Sequence, residues 1–102
     1  MGERKGQEHV GVQERRAAAV PKRYKVLLYN DDYTSMDFVV EVLESIFRKS
    51  PAEAVQVMLK VHKEGQGIAG VYPKDVGETK VLQVHEMARL AGYPLRSGLE
   101  EE

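Results

Sequence analysis

The chain has 102 residues, with 15 Lys and Arg against 16 Asp and Glu for a formal charge of −1, and it contains neither cysteine nor tryptophan. The length predicts a single domain, and the lack of cysteine excludes disulfides, cysteine nucleophiles and thiolate metal sites. The near-neutral charge, the lack of an apolar run of about 18 residues and the polar first residues argue against nucleic-acid binding, a membrane span and a signal peptide.

The first twenty residues differ in composition from the rest of the chain. They hold four basic and three acidic side chains, and they contain no Leu, Ile or aromatic residue. Such a segment cannot bury enough apolar surface to offset the entropy of ordering it. We therefore expect residues 1–21 to form a flexible N-terminal extension that ends at Pro21, and residues 22–102 to form the folded domain.

The first predicted strand is the β-rich run Tyr24–Tyr29, which the turn-forming run Asn30–Asp32 follows. Thr34 is predicted to cap the next helix, with Asp37 completing a capping box. Apolar residues then recur at helical spacing. This spacing predicts a first helix that continues to about Arg48.

The second helix has the clearest start signal in the sequence, the run Ser50–Glu53. Its serine supplies an N-cap, its proline suits the first helical position, and its glutamate closes a capping box. The helix is predicted to continue to about Lys63, because Gly65 provides a C-terminal stop. The run Gly67–Tyr72 is then predicted as the second strand, with small residues that permit close backbone approach.

The third helix is predicted to begin between Pro73 and Asp75, where Asp75 and Glu78 would form a capping box, and to end at Gly92. The alternation of side chains in Leu95–Glu100 predicts a last strand. The order is therefore β-α-α-β-α-β. It favours a two-layer α+β domain over a doubly wound sheet, because only three strands are present.

Two groups of residues are candidates for binding chemistry. Asn30–Asp32, with Thr34, is typical of a strand-to-helix turn, but the same oxygens could instead converge on an ammonium group, which donates three hydrogen bonds. His62 lies at the predicted end of a helix, where a histidine is most often a surface or capping residue. Met58 and Val61 share its helical face, which favours a pocket with an apolar wall and one polar corner.

Met36, in the first turn of the first helix, belongs either to the core or to an adaptable binding surface, the two common uses of methionine. His9, His62 and His85 lie in three different predicted segments, so no metal site is predicted. The sequence also lacks a phosphate-binding glycine loop and a nucleophile elbow. We therefore predict a protein without catalytic residues, metal or cofactor.

The stretch Tyr24–Val39 (YKVLLYNDDYTSMDFV) closely resembles the opening of the ClpS family, the adaptors of the bacterial N-degron pathway. The resemblance continues in register over residues 22–102. Further matches are Met58-Leu59, Val61-His62, Gly70–Tyr72, Glu78–Val81 and Pro94-Leu95.

The resemblance implies a three-stranded antiparallel sheet packed against three helices, similar to the C-terminal domain of the ribosomal stalk protein. It also implies a cytoplasmic adaptor that binds substrates beginning with Leu, Phe, Tyr or Trp. Such an adaptor delivers them to the N-terminal domain of a ClpA- or ClpC-like AAA+ unfoldase, and it has no catalytic activity of its own.

The functional residues of the family can be carried over by position. Those that would bind the substrate's α-amino group are Asn30, Asp31 and His62. Those that would form the hydrophobic side-chain pocket are Thr34, Met36, Val39, Met58, Val61 and Leu95. Those that would dock the unfoldase are Asp75, Glu78 and Lys80. Ser35 stands where many relatives have proline, which removes a rigid first helical position but no pocket group.

Two other classes of function stay open at this point. A ribosome-associated or other protein-interaction domain fits the similarity of fold, and it predicts no preference for an N-terminal residue. A hydrolase that uses His62 and Asp31 is the other alternative, but it requires a nucleophile or a metal that the sequence does not offer.

Overall fold

The structure is a computed structural model that describes residues 20–102, so most of the predicted extension, residues 1–21, lies outside the described residues. The elements in chain order are β1 (Arg23–Tyr29), α1 (Met36–Ser45), α2 (Pro51–Glu64), β2 (Gln66–Pro73), α3 (Lys74–Ala91) and β3 (Arg96–Glu101). The strands form one antiparallel sheet in the order β2-β1-β3. The predicted α+β fold is thereby confirmed. None of the helices in residues 20–102 is both long and apolar enough to span a membrane.

The strand β1 forms the centre of the sheet, because it pairs with β2 along one edge and with β3 along the other. Three consecutive residues, Val26, Leu27 and Leu28, are buried. Successive side chains of a strand point to opposite faces. Val26 and Leu28 accordingly join the main core, whereas Leu27 is buried outside that cluster. Pairing on both sides fixes the direction in which the chain leaves β1 at Asn30.

The core lies between the sheet and the apolar faces of the three helices. Each helix contributes residues at the helical spacing seen in the sequence. The buried residues of the cluster are Val26, Leu28, Phe38, Val39, Val42, Leu43, Phe47, Ala54, Val61, Ala69, Val84, Ala88 and Leu95.

The start of α1 differs from the prediction. Ser35, not Thr34, is the N-cap, and its Oγ accepts a hydrogen bond of 3.1 Å from the backbone N–H of Phe38. Asp37 is therefore the second helical residue and cannot close a capping box. The helix also ends at Ser45 rather than near Arg48, which has a left-handed φ of 57°.

The predicted capping box of α2 is confirmed. The backbone N–H of Ser50 donates to Glu53 Oε1 at 3.1 Å, and the N–H of Glu53 donates to Ser50 Oγ at 3.2 Å. The bonds from the backbone N–H and the hydroxyl of Ser50 hold the pKa of Glu53 below its usual value. At the other end, Gly65 takes the left-handed conformation with φ 90°, as a C-terminal stop requires.

The start of α3 also differs from the prediction. The helix begins at Lys74, after Pro73, and it has no side-chain cap. Asp75 is thus already inside the helix, and its Oδ1 accepts a bond of 2.9 Å from the N–H of Val76, the next residue. It makes no capping box with Glu78. The predicted stop at Gly92 is confirmed, because that residue has φ 82°.

Candidate functional site

A cavity of about 360 Å³ opens where the end of β1, the start of α1 and the last turns of α2 meet. This volume lies at the small end of the range of ligand pockets, roughly 300–1,000 Å³. The residues that line it are Asn30, Asp31, Asp32, Tyr33, Thr34, Ser35, Met36, Val39, Met58, Val61 and His62. The cavity is therefore sized for about one large side chain.

A backbone contact brings together the two chain segments that carry the polar side chains of the cavity. The N–H of Asn30 donates to the carbonyl oxygen of Gly65 at 2.9 Å, which ties the end of β1 to the C-terminus of α2. His62 lies in the last turn of α2 and is exposed. The amide of Asn30 and the imidazole of His62 consequently line one cavity, although 32 positions separate them in the sequence.

The carboxylate of Asp31 organises the loop between β1 and α1. Its Oδ1 accepts bonds from the backbone N–H groups of Tyr33, at 2.8 Å, and Thr34, at 2.7 Å. Its Oδ2 accepts a bond of 2.7 Å from the hydroxyl of Thr34. A carboxylate oxygen offers two acceptor positions, so within residues 20–102 Oδ2 keeps one position for a ligand.

The electrostatic state of Asp31 follows from these contacts. Burial acts to raise the pKa of the half-buried carboxyl group. The hydrogen bonds from the Thr34 hydroxyl and from the Tyr33 and Thr34 N–H groups outweigh that effect, so the pKa lies below the usual 3.8. The group therefore carries a full negative charge at neutral pH.

The apolar wall of the cavity has a rigid floor and a softer rim. Val39 and Val61 are buried in the core, whereas Met58 is half-buried and Met36 is 46% exposed. Gly67 contributes indirectly, because a Cβ at that position would lie 2.9 Å from Val61 Cγ2. Glycine thus lets the start of β2 lie directly against the helix that carries the floor.

The structure does not bring every predicted pocket residue to the cavity. Leu95 is buried in the core and does not line it. Thr34 lines the cavity, but its hydroxyl is bonded to Asp31. The lining also includes Ser35 and Tyr33, which sequence reasoning did not select as site residues. Tyr33 could have been selected from the sequence, because it is an aromatic residue in a predicted turn and belongs to no apolar pattern of a helix or strand. Its side chain is 79% exposed.

The predicted docking residues are only partly grouped. Asp75 and Glu78 line a shallow cavity near the beginning of β1, and that strand of 7 residues separates them from the cavity at Asn30. Lys80 lies elsewhere, because its Nζ donates to the carbonyl oxygen of Ile46 at 2.8 Å. The same Nζ lies 5.6 Å from the centroid of the Tyr72 ring, and burial raises the pKa of that phenol.

Within residues 20–102, no three His, Asp or Glu side chains are grouped so that they could hold a metal ion. The described site therefore offers hydrogen-bond acceptors, the carboxylates of Asp31 and Asp32 and an apolar surface. Such groups can accept hydrogen bonds from a cation and contact an apolar side chain.

The fold and the cavity define a small α+β binding domain, and comparison with known proteins specifies it further. The family model for "ATP-dependent Clp protease adaptor protein ClpS" matches residues 19–98. The ClpS adaptor of Wolinella succinogenes is 58% identical over 88% of this chain and 88% of that protein. The ClpS adaptor of Oleidesulfovibrio alaskensis is 59% identical over 79% of this chain and 78% of that protein.

A solved structure of similar fold is Agrobacterium tumefaciens ClpS2 bound to L-phenylalaninamide. It has a TM-score of 0.78 and 40% sequence identity, and it covers 81% of this chain and 100% of that chain. The chain belongs to the ClpS family of Clp protease adaptors. The resemblance noted in the sequence is thereby confirmed.

Proposed function

We propose that the cavity binds the free N-terminal residue of a substrate polypeptide when that residue is Leu, Phe, Tyr or Trp. The adaptor then delivers the substrate to a Clp-family AAA+ unfoldase. The observation that carries the proposal is one cavity in which Asp31, Asn30 and His62 lie beside an apolar floor.

The polar end of the cavity suits an α-ammonium group. Such a group donates three hydrogen bonds, and the Asp31 carboxylate, the Asn30 amide oxygen and a neutral His62 imidazole can each accept one. Only a free N-terminus carries this charge on the backbone. Acetylation removes the charge, and a charge-assisted bond contributes about 1.5–3 kcal/mol, so acetylation should weaken binding by about tenfold or more.

The apolar end suits one large side chain. Burial of a Leu or Phe side chain contributes about 1.5–3 kcal/mol, and Val39 and Val61 offer a buried surface for it. The exposed Met36 at the rim would crowd a branch at Cβ, which Ile and Val carry and Leu does not. This steric conflict would exclude β-branched residues while admitting Leu.

The comparisons support both halves of the proposal. L-phenylalaninamide, the ligand of the similar ClpS2 structure, has a free α-amino group and a benzyl side chain. These are the groups that the two ends of the cavity would recognise. The family description names a Clp protease, and we extend it to docking of Asp75, Glu78 and Lys80 on the N-terminal domain of a ClpA- or ClpC-like unfoldase.

The test is a titration by fluorescence anisotropy with four labelled peptides that differ only at the N-terminus. A peptide with a free N-terminal Leu should bind, and the acetylated, Ala and Ile forms should bind at least about tenfold more weakly. The Leu peptide should be recovered intact. Equal affinity for the free and acetylated peptides would contradict the proposal, and cleavage of the peptide would favour a hydrolase.

A further inference from the structure

An apolar surface on α3 adjoins Asp75 and Glu78, two of the three residues proposed for docking. Leu82 is 69% exposed, and it lines a shallow cavity with Glu78 and the half-buried side chains of Val81 and Leu99. Glu78 also lines the neighbouring cavity that contains Asp75. The carboxylates and the apolar surface are therefore parts of one continuous face.

The spacing on the helix explains this arrangement. Asp75, Glu78 and Leu82 follow one another at intervals of three and four residues, which places them on one side of an α-helix. Lys22 and Lys74 line the same cavity as these carboxylates, but within residues 20–102 neither carboxylate takes part in an ion pair, and Lys22 pairs with Glu101 instead. A single exposed leucine is ordinary on a protein surface. Leu82, however, shares its cavity with Glu78 and with the half-buried side chains of Val81 and Leu99.

The start of the described chain also distinguishes this face, because Pro21 and Lys22 line the same cavity as Asp75 and Glu78. The substrate cavity lies at the opposite end of β1, roughly 20 Å away at the rise of an antiparallel strand. A partner bound here would leave the substrate cavity open.

We propose that Leu82, together with Val81 and Leu99, is the apolar anchor of the unfoldase-docking surface. The partner surface would be an apolar hollow bordered by Lys or Arg side chains that face Asp75 and Glu78. This inference rests on the proposed delivery of substrates to an unfoldase. The carboxylates would set the orientation of the partner and the association rate. Leu82 would become buried in the complex and supply affinity that salt does not screen.

The chain offers a matched control on the same helix. Leu90 is 72% exposed, but it lines other cavities, one with Phe38 and Tyr93 and one with Lys80, whose side chain does not line the cavity at Leu82. Leu82→Ala and Leu90→Ala remove the same atoms from similarly exposed sites and preserve helix propensity. Binding of the full-length adaptor to an intact Clp-family unfoldase is measured for each variant at low and high salt.

We expect Leu82→Ala to weaken binding by about tenfold, as the loss of a central apolar anchor does, and Leu90→Ala to leave it unchanged. The deficit of Leu82→Ala should persist at high salt, whereas that of Asp75→Asn should shrink because charges at the rim are screened. Equal affinities for the two leucine variants, or a Leu82→Ala deficit that salt abolishes, would overturn the proposal.

The remaining outcomes separate this inference from the proposed function. All three variants should bind the N-terminal Leu peptide as the unaltered protein does, since none touches the substrate cavity. If the unaltered adaptor fails to bind the unfoldase, delivery itself is wrong. If it self-associates through Leu82, or if the Leu82→Ala effect requires residues 1–19, the occupant is a second copy or the chain's own extension, and the proposal is overturned.

Discussion

Asp31 illustrates how one side chain serves both the loop and the site. The sequence left two interpretations of Asn30–Asp32 open, a turn and an ammonium clamp, and the structure shows that the turn is present. Asp31 accepts three hydrogen bonds from Tyr33 and Thr34. These bonds hold the carboxylate in the cavity wall, so the turn supports the proposed clamp rather than competing with it.

Replacement of this carboxylate by an amide tests both roles. In Asp31→Asn the amide oxygen can keep the bonds from the two N–H groups, but its NH₂ cannot accept from the Thr34 hydroxyl. We expect a loss of about 1 kcal/mol in the free energy of unfolding at neutral pH and an affinity for the N-terminal Leu peptide about tenfold lower. Urea denaturation and anisotropy measure the two effects.

The stability effect should depend on pH with a defined sign. Because the pKa of Asp31 in the folded protein lies below the usual 3.8, the ionised carboxylate stabilises the fold above that pH. This contribution is lost as the pH falls through the folded pKa. The difference between the unaltered protein and Asp31→Asn should therefore shrink in strongly acidic solution. Asp32→Asn is the control, and a constant difference for Asp31→Asn would contradict the assignment.

At the scale of elements, the two ends of α2 have different tasks. Ser50 and Glu53 stabilise the start of the helix. Gly65 ends it, and its carbonyl oxygen holds Asn30 beside the turn that carries His62. The predicted start and stop were both correct because caps depend on residues within one turn of the chain.

This division of tasks leads to a prediction for Ser50→Ala. Loss of the N-cap should lower the free energy of unfolding by about 0.5–2 kcal/mol, measured by urea or thermal denaturation. Peptide affinity should not change, because the cap lies about 18 Å along the helix from His62.

Ser45→Ala is a suitable control for the loss of a serine hydroxyl. Its Oγ donates to the carbonyl oxygen of Glu41 at 2.8 Å and caps no helix start. We expect its effect to stay within about 0.5 kcal/mol. A Ser50→Ala variant as stable as Ser45→Ala would show that the capping box contributes little.

The starts of α1 and α3 show where local reasoning failed. Thr34 and Ser35 are adjacent and both are good N-caps, so propensity alone could not choose between them. The Asp31 carboxylate accepts hydrogen bonds from the hydroxyl and the N–H of Thr34. The Thr34 hydroxyl is therefore engaged, and Ser35 caps α1 instead. At α3, Pro73 precedes the helix, and Asp75 falls inside it.

At the scale of the whole molecule, β1 separates two surfaces. Its end carries the cavity proposed for substrate, and its beginning lies beside Pro21, Lys22, Asp75 and Glu78. A paired central strand is a rigid spacer, so a partner at one end need not disturb a substrate at the other. If the proposed function is correct, we expect the adaptor to bind a substrate and an unfoldase at the same time.

This separation makes removal of residues 1–19 informative. We propose that they act in delivery, so their deletion should leave the affinity for the N-terminal Leu peptide unchanged and abolish degradation of a substrate with that N-terminus. The assay compares peptide anisotropy with loss of substrate in the presence of the unfoldase, its peptidase and ATP. Full degradation by the shortened adaptor would refute the role in delivery.

The sequence by itself determined the order of the elements, the ends of α2 and the family, because periodicity, caps and motifs are local properties. It also supplied the chemical groups of the candidate site. Only the tertiary structure decided which groups meet. It brought Asn30 to His62, placed Leu95 in the core, turned Lys80 towards α1 and left Leu82 exposed beside Glu78. These positions depend on packing between elements that are distant in the chain, and no local pattern encodes that packing.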